Sequence, residues 1–372
     1  MKVSVITMHA VKNYGSVLQT YATQRLFEKL GLEVEIIDYV REKNLDENLL
    51  QTWTKNDKGL VKIIKKAVLL PTVTKWKKVF GGFLKEEIHL SQRRYTSEQE
   101  LIDNPVCADI FCTGSDQVWN SGWNNGIEKP FYLSFVPDGV PKIAVAASMG
   151  KNKIDKEEAK IITPYLRRYN YITMREQSGL DIVKSLGIEN SGFCLDPTLL
   201  ISCEEWLQYA KPYPIKEKYV LIYQLNHDPQ FDIYAEEFAK IKKLKLIRVC
   251  TRYDQKRLSG KGIVLPEVRK LLSLIYNAEY VLTNSFHATA FCINLNKQFV
   301  SIYPNEYASR LSDTLKMFGL EQRQLKAYNQ YDIADKDINF DAVNEKLLAC
   351  RKECVNLLED MIACCREVID IK

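Results

Sequence analysis

The sequence predicts an α/β protein built from two doubly wound, Rossmann-like domains that face each other across a cleft. Its 372 residues are too many for one ordinary hydrophobic core and suit two domains. Apolar residues make up 46% of the chain and charged residues 27%, which is typical of a soluble globular protein. Strand-like and helix-like segments alternate in two successive series, and such alternation indicates parallel sheets covered by helices.

The first series opens with a strand, a helix and a strand. A short β-branched run at 2–7 precedes apolar residues at helical spacing over 13–31, and a second strand pattern follows over 33–40. We assign residues 1–185 to the first domain, with a basic helical insertion at about 45–100. Later strand-like runs end in small or polar residues, where a cleft would lie at the carboxyl ends of the strands. These runs are 108–116, 142–150 and 169–176.

The second series forms the second domain, which we assign to residues 186–340. A final amphipathic helix at 341–372 must pack back on the body of the protein. The elements predicted between them are a strand at 219–225, a helix near 230–243, a strand at 245–250, a helix and a strand within 267–285, a helix after residue 287 and a strand at 298–303.

Several classes of protein are not expected. The amino-terminal segment has one lysine and a short apolar run, unlike a signal peptide. No apolar run approaches the roughly 20 residues that span a bilayer, so we expect a cytoplasmic protein. The ten cysteines form no CxxC pair, which predicts reduced packing cysteines and neither a zinc site nor a disulfide framework. The phosphate-binding loops GxGxxG and GxxxxGK[ST] are also missing from the sequence.

The positive charge of the chain is concentrated between residues 53 and 85. This segment has nine lysines and one aspartate, so its charge of +8 exceeds the +5 of the whole chain. Aromatic residues, among them Trp53 and Trp76, alternate with the lysines. The mixture fits helices that lie on an anionic membrane surface. It also fits an insertion whose apolar faces pack on the first domain while its lysines are solvated. The composition favours this second interpretation. Binding to nucleic acid is not expected, because no motif for it accompanies the lysines.

The order and spacing of several motifs resemble the polysaccharide pyruvyl transferase family over residues 3–325. These motifs are NYGSVLQTYATQRLF, GSDQVWN, FYLSFV, KIAVAASMG, REQSG, LDPTLL and LLSLIYNAEYVLTNSFHATAFCINLNKQF. The resemblance implies a fold like that of the GT-B glycosyltransferases. It also implies transfer of pyruvate from phosphoenolpyruvate (PEP) to a sugar, commonly as a ketal that bridges two hydroxyls. The acceptor would be a cell-surface polysaccharide or a precursor such as a lipid-linked sugar. PEP is a co-substrate, and the chemistry requires neither another cofactor nor a metal.

His287 is the catalytic candidate. It begins a predicted helix directly after a strand, where free N–H groups and the helix dipole favour an anion. An imidazole there could bind charge or transfer a proton, and relatives carry a histidine at the matching place. A histidine that only packs or caps the helix is the alternative. Many relatives read Arg-Leu-His-Gly here, whereas this chain has Ser285 and Ala288 at the outer positions, so the arginine that would hold PEP is replaced by a neutral donor.

Two arginines could supply the missing charge. Arg310 precedes an apolar helix, and a guanidinium suits carboxylate or phosphate. Arg175 ends a strand of the first domain, and the resemblance implies that it faces the donor. Each has an ordinary alternative: Arg310 could pair with Asp313, and Arg175 with Glu176 or Asp181, at the surface.

The acceptor is expected on the first domain. Asn13, Tyr14 and Gly15 follow the opening strand, where glycine admits a ligand to the backbone and Asn13 can hydrogen-bond sugar hydroxyls. Asp116 closes another strand and could take a proton from an acceptor hydroxyl. A helix cap at Asn13 and a turn cap at Asp116 explain these residues almost as well.

Two other functions fit the same sequence. One is a GT-B glycosyltransferase, whose nucleotide-sugar diphosphate would use the same helix start. The other is a non-catalytic sugar-binding protein that kept the fold after losing the arginine at position 285.

Overall fold

Two parallel β-sheets organise the chain in the computed structural model, which describes residues 1–302 and 308–371. The first sheet has the strand order β3-β2-β1-β4-β5-β6-β7, and every neighbouring pair in it is parallel. Its strands are β1 (Lys2–Ile6), β2 (Glu33–Tyr39), β3 (Leu90–Tyr95), β4 (Ile110–Thr113), β5 (Lys142–Ala147), β6 (Tyr171–Met174) and β7 (Ser191–Phe193).

The second sheet is also parallel, with the order β10-β9-β8-β11-β12. Its central strand β8 is buried along its whole length, as the apolar run YVLIY requires of a strand covered on both faces. The strands are β8 (Tyr219–Tyr223), β9 (Lys245–Cys250), β10 (Lys261–Val264), β11 (Tyr280–Thr283) and β12 (Gln298–Ser301).

Helices cover both sheets, and these two doubly wound domains confirm the predicted fold class. The helices are α1 (Tyr14–Lys29), α2 (Leu49–Trp53), α3 (Gly59–Trp76), α4 (Gly82–Glu87), α5 (Glu98–Asp103), α6 (Ser121–Asn124), α7 (Lys156–Leu166), α8 (Gln177–Ser185), α9 (Pro197–Leu200), α10 (Cys203–Tyr209), α11 (Pro229–Ile241), α12 (Val268–Tyr276), α13 (Phe286–Asn294), α14 (Ala308–Phe318) and α15 (Phe340–Asp370). Short turns of 3-10 helix lie at Glu42–Asn44, Lys129–Tyr132, Tyr253–Arg257, Glu321–Arg323 and Tyr331–Ala334, and a π-helical turn joins α3 to α4 at Lys77–Gly81.

Three strands were not predicted from the sequence: β3, β7 and β10. The β3 sequence LSQRRY is polar because it lies at the edge of the sheet and is largely exposed. The β7 strand has only three residues, and β10 contains a glycine. As a consequence the first sheet continues beyond residue 185, the predicted end of the first domain. It also takes one strand from the segment 45–100 that was predicted as a helical insertion.

The basic insertion packs on the protein through Leu49 and through the residues from Thr72 onward, but not through the first turns of α3. Val73, Trp76, Phe80 and Phe83 are buried in the core. The first turns of α3 are exposed, and their large aliphatic side chains meet solvent. The interpretation that the apolar faces of the insertion pack on the first domain is therefore wrong for this half of α3.

The carboxy-terminal helix α15 packs back against both domains. Cys354 accepts a hydrogen bond from the backbone N–H of Leu195 at 3.3 Å. Arg351 donates to the carbonyl of Leu199 at 2.6 Å and to Asn294 Oδ1 at 2.9 Å. The helix therefore ties the segment after β7 to α13.

In the described part of the chain, no helix combines the length and apolar character needed to cross a membrane. All ten cysteines are free thiols. Nor do three or more His, Cys, Asp or Glu side chains of residues 1–302 and 308–371 come together as a potential metal site.

Candidate active site

A cavity of about 370 Å³ lies in the cleft, at the carboxyl ends of strands from both sheets. In doubly wound folds this is the edge where ligands bind, because the loops after parallel strands meet there. The segments that follow β1, β4, β8, β9 and β11 all contribute to its wall. Among the predicted site residues, the cavity is lined by Asn13, Asp116, Ser285, His287 and Arg310.

The start of α13 faces this cavity. Ser285 is the N-cap: its hydroxyl accepts a hydrogen bond from the N–H of Ala288 at 3.3 Å, and its own N–H donates to Thr283 Oγ1 at 3.0 Å. These neutral hydrogen bonds fix the turn from strand to helix. Helix capping is thus done by Ser285, and the side chain of His287 is left for another role.

The imidazole of His287 is buried, with 8% of the residue exposed. Its Nε2 has no hydrogen-bond partner in the described chain and lies 3.7 Å from Asp196 Oδ2. Burial lowers the pKa of His287 below its ordinary value; the carboxylates of Asp196 and Asp116 oppose this effect, while Arg175 and Arg310 add to it. The lowered pKa favours the neutral form of the ring.

Gly15 lies directly against this ring. A Cβ atom at position 15 would come within 2.1 Å of His287 Nδ1, a distance that no real Cβ contact has. The glycine at the start of α1 therefore admits the imidazole from the other domain. The sequence predicted close approach of a ligand at Gly15, whereas the structure shows close approach of a side chain.

Arg175 is placed differently from the prediction that it faces the donor. Its side chain is fully buried and is not part of the cavity wall. It donates to Asp196 Oδ2 at 2.6 Å, Ser115 Oγ at 3.3 Å and Asp116 Oδ1 at 3.3 Å. Its two Nη groups make these hydrogen bonds, whereas its Nε has no hydrogen-bond partner in the described chain and lies 3.8 Å from Glu176 Oε2. Because the Nη groups are engaged with buried acceptors, Arg175 is a positioning residue that holds the two aspartates.

Asp196 was missed by the sequence reasoning, although the motif LDPTLL contains it. It reads there as a cap before a proline, and it does cap α9 through Thr198. Its other oxygen, Oδ2, meets Arg175 and Ser115. Burial raises the pKa of Asp196, but the charges of His287 and Arg175 outweigh burial and the net shift is downward. A buried carboxylate thus lies within reach of an imidazolium at His287.

Arg310 contrasts with Arg175, because it lines the cavity and has no carboxylate partner in the described chain. Its Nε is buried without a hydrogen-bond partner, and only 8% of the residue is exposed. Burial, together with the charge of Arg175, lowers the pKa of Arg310 to about 10. The predicted alternative, an ion pair with Asp313, is not formed. An unpaired buried cation is costly unless an anion accompanies it.

Phe286 lies close to both arginines. The guanidinium of Arg175 lies 4.7 Å from the centroid of the ring, and that of Arg310 lies 5.7 Å from it. Both distances are within the range of a cation–π interaction, so the ring stabilises both cations.

Asp116 lines the cavity and has the backbone conformation φ 77°, which is uncommon for a residue other than glycine. Its Oδ2 accepts from Ser16 Oγ at 2.7 Å and its Oδ1 from the N–H of Gln117 at 2.9 Å. Burial raises its pKa, but Arg175 and His287 outweigh burial and bring the pKa to about 2. A pKa this low favours the charged carboxylate as a hydrogen-bond acceptor and disfavours the predicted role of a general base.

Of the other residues predicted to bind the acceptor, Asn13 lies at the cavity and Tyr14 does not. Asn13 lines the cavity, and it also caps α1 by accepting the N–H of Gly15 at 2.8 Å. Tyr14 points away from the cavity: its hydroxyl donates to the carbonyl of Pro266 at 2.6 Å, and its ring packs against Tyr223. Tyr14 therefore joins the two domains, so its predicted contact with the acceptor has no support in this placement.

Tryptophans form a further wall of the cavity that was not predicted as part of the site. Trp53 and Trp76 come from the insertion, and Trp123 comes from α6. Trp76 Nε1 donates to the carbonyl of Thr251 at 2.9 Å, which fixes the insertion to the second domain. Trp53 and Trp123 are exposed, whereas Trp76 is buried. Exposed indole faces beside polar side chains suit a sugar ring, which has both apolar and hydroxyl-bearing surfaces.

The fold and the cavity define a class of protein: two Rossmann-like domains in a GT-B-like arrangement, with an unpaired arginine and a helix start facing the cleft. The sequence model of the family described as polysaccharide pyruvyl transferase matches residues 13–306, which is most of the chain. The protein belongs to the polysaccharide pyruvyl transferase family.

Solved structures share the fold. A UDP-N-acetylglucosamine 2-epimerase from Rickettsia bellii aligns over 100% of both chains with a TM-score of 0.53 and 11% identity. The S. aureus MnaA–UDP co-structure aligns over 96% of this chain and 97% of that chain, with a TM-score of 0.51 and 10% identity. At these identities the likeness concerns the fold alone. No curated protein sequence is significantly similar to the chain.

Proposed function

We propose that this protein transfers pyruvate from PEP to sugar hydroxyls, as a ketal, in a cell-surface polysaccharide or its precursor. Membership of the family supports pyruvyl transfer to a polysaccharide. The observation that carries the choice of donor is the buried guanidinium of Arg310, which faces the cavity without a partner in the described chain. PEP has a phosphate and a carboxylate, and either would compensate this charge.

In the proposed complex the phosphate of PEP binds at the start of α13, and Arg310 binds one of its two anionic groups. Ser285 contributes as the N-cap of α13, whose first residues Phe286 and His287 line the cavity. Arg310 supplies the charge that relatives have at the position of Ser285. Arg175 contributes indirectly, by holding Asp116 and Asp196 in place.

His287 is the proposed general acid. Burial favours the neutral ring, but the negative charges of PEP raise its pKa, so it takes up a proton when the donor binds. Asp196, 3.7 Å from Nε2, stabilises the imidazolium. The imidazolium then protonates the methylene carbon of PEP, which becomes the methyl group and leaves C2 electrophilic.

Two sugar hydroxyls then react at C2 in successive steps. One sugar hydroxyl adds to C2, and a second hydroxyl displaces the phosphate from C2 to close the ketal. Of the two hydroxyl protons, one replaces the proton that His287 gave to the methyl group, and the other leaves with the phosphate. Asp116 and Asn13 orient the hydroxyls, since both line the first-domain side of the cavity.

A lipid-linked precursor is the acceptor that would bring this protein to a membrane. Contact through residues 53–85, where nine lysines meet one aspartate, would place the cavity near such a substrate. A location in the cytoplasm, at the inner face of the membrane, belongs to the same proposal.

Ligand-induced stabilisation separates this function from the alternatives, because a ligand that binds the native state raises the melting temperature by mass action. We expect PEP to raise it, UDP to leave it unchanged, and phosphate to be released from PEP with one member of a panel of glycans and lipid-linked sugars. A shift with UDP and none with PEP would favour a nucleotide-sugar glycosyltransferase. A shift with a glycan alone, without phosphate release, would favour a sugar-binding protein.

A further inference from the structure

The first turns of α3 expose a continuous apolar face to solvent. Large aliphatic residues there are 52% to 71% exposed, far more than is usual for neighbouring residues of one helix. We call this surface the α3 apolar face; it consists of Leu60, Val61, Ile63, Ile64, Val68 and Leu70. Contiguous exposed apolar surface of this kind marks an interaction site.

The lysines of α3 lie on the opposite side of the helix. Residues three and four positions apart share one face of a helix, so Lys62, Lys65 and Lys66 form a row on one side of α3, and Lys58 precedes the row as the N-cap. This row is turned toward the preceding segment: Lys65 pairs with Asp57 at 2.6 Å, and Lys66 donates to Gln51 at 3.1 Å. The helix therefore has a charged inner side and an apolar outer side, which is the reverse of a helix that packs on its own domain.

The positive charge around the α3 apolar face indicates which kind of partner binds there. Nine lysines and a single aspartate between residues 53 and 85 create a strongly positive surround for the apolar face. A helix with a wide apolar face and lysines on the other side lies in the plane of an anionic bilayer, with its aliphatic side chains among the acyl chains. The exposed residues 60–70 make about 16 Å of helix available for this contact, because the end of α3 packs on the protein.

We propose that the α3 apolar face docks on an anionic membrane surface. The far end of α3 is Trp76, which lines the cavity and binds the carbonyl of Thr251. The docked helix therefore leads from the bilayer to the cleft. Membrane docking itself is independent of catalysis; its consequence, that the acceptor sugar is carried on a lipid, rests on the proposed function.

The test compares binding to vesicles of phosphatidylcholine with binding to vesicles that also contain phosphatidylglycerol, by co-sedimentation at low and high salt. We expect the full-length protein to bind the anionic vesicles and to be released by salt. Replacing Ile63 and Ile64 by serine should weaken binding at least about tenfold, since each loses a buried aliphatic side chain. Replacing Lys58 and Lys62 by glutamine should weaken it by about fivefold per lysine at low salt.

The matched control replaces Ile233 and Ile241 by serine. These residues lie on α11 of the second domain and are 57% and 54% exposed, so they are comparable in chemistry and exposure but distant from the insertion. This variant should bind vesicles like the wild type. PEP-induced stabilisation should be the same in all variants, so that a failure of docking is distinguished from a failure of the proposed function.

Three results would overturn the proposal. The first is no binding of the wild type to anionic vesicles, and the second is an equal loss of binding in the control variant. The third is a dimer in solution, measured by light scattering, that the Ile63→Ser, Ile64→Ser variant converts to a monomer while vesicle binding is absent. That outcome would assign the α3 apolar face to a second copy of the chain.

Discussion

His287 of the second domain packs directly against Gly15 of the first domain, and its imidazole fills the space that a side chain at position 15 would need. The starts of α1 and α13 therefore approach each other through a residue without a side chain and a residue with a titratable ring. This contact fixes the ring in position relative to both domains. It also makes the separation of the domains sensitive to the volume at position 15.

The Gly15→Ala substitution should damage the site without removing any functional group. The new Cβ would lie 2.1 Å from His287 Nδ1, so either the ring or the domain interface must move. We expect kcat to fall by about a hundredfold, as is usual for misplaced catalytic groups, and the protein to lose about 1–3 kcal/mol of stability by overpacking. Gly82→Ala is the control: nothing lies within 4 Å of its Cβ, and it should retain activity. Full activity in Gly15→Ala would contradict the proposed role of the ring.

Arg310→Met should separate binding from stability. Removing a buried cation that has no partner in the described chain relieves a desolvation cost, so the melting temperature without ligand should stay the same or rise. The increase caused by PEP should disappear, and KM for PEP should rise by at least about tenfold, the factor for a lost charged hydrogen bond. Thermal melts with and without PEP and steady-state kinetics measure both effects.

Arg323→Met provides the comparison. Arg323 is also buried in the second domain, but it donates to Gln298 Oε1 at 3.0 Å and to backbone carbonyls. Its removal should lower the melting temperature and leave the PEP-induced shift intact. If Arg310→Met instead lowered stability while keeping the shift, Arg310 would be structural and the donor would be held elsewhere.

The sequence was sufficient to predict the two sheets and the edge at which the cavity lies. Asn13, Asp116 and His287 each follow a strand-like run, and the carboxyl ends of parallel strands meet in space even when they are far apart in the chain. The polar edge strand β3 and the three-residue β7 could not be predicted from the sequence, because neither shows the apolar periodicity of a buried strand.

The sequence also did not show which charged side chains are buried and which of them are paired. Arg175 and Arg310 are equally plausible anion ligands in the sequence, but only the structure shows that one is surrounded by carboxylates and the other is not. No role was predicted for Asp196, which caps a helix with one oxygen and binds Arg175 with the other. The sequence did not predict the orientation of α3 either, because a helical pattern does not show which face packs against the protein.

Arg175 and Asp196 should be strongly coupled. Removing either partner leaves a buried charge uncompensated, so Arg175→Met and Asp196→Asn should each lower the free energy of unfolding by about 3–5 kcal/mol. The double variant should lose less than the sum, which urea denaturation of all four proteins would measure. The exposed pair Lys218 and Glu279 is the control, with a coupling below about 1 kcal/mol. Additive losses at Arg175 and Asp196 would show that the two residues do not act as a pair.

His287 should make both stability and PEP binding depend on pH. Because the folded-state pKa of His287 lies below its ordinary value of about 6.5, the unfolded chain binds a proton first as the pH falls. Stability should therefore decrease below about pH 6.5 in the wild type, and this part of the decrease should be absent in His287→Gln.

The same group should take up a proton when PEP binds at pH 7, because the anion raises the pKa of the imidazole. Calorimetry in two buffers of different ionisation enthalpy measures this uptake, and the difference between wild type and His287→Gln isolates the ring from the titration of PEP itself. Turnover in the variant should fall by at least about a hundredfold, the scale of a lost general acid. Equal proton uptake in both proteins, with turnover preserved, would show that the imidazole at position 287 only packs between the domains.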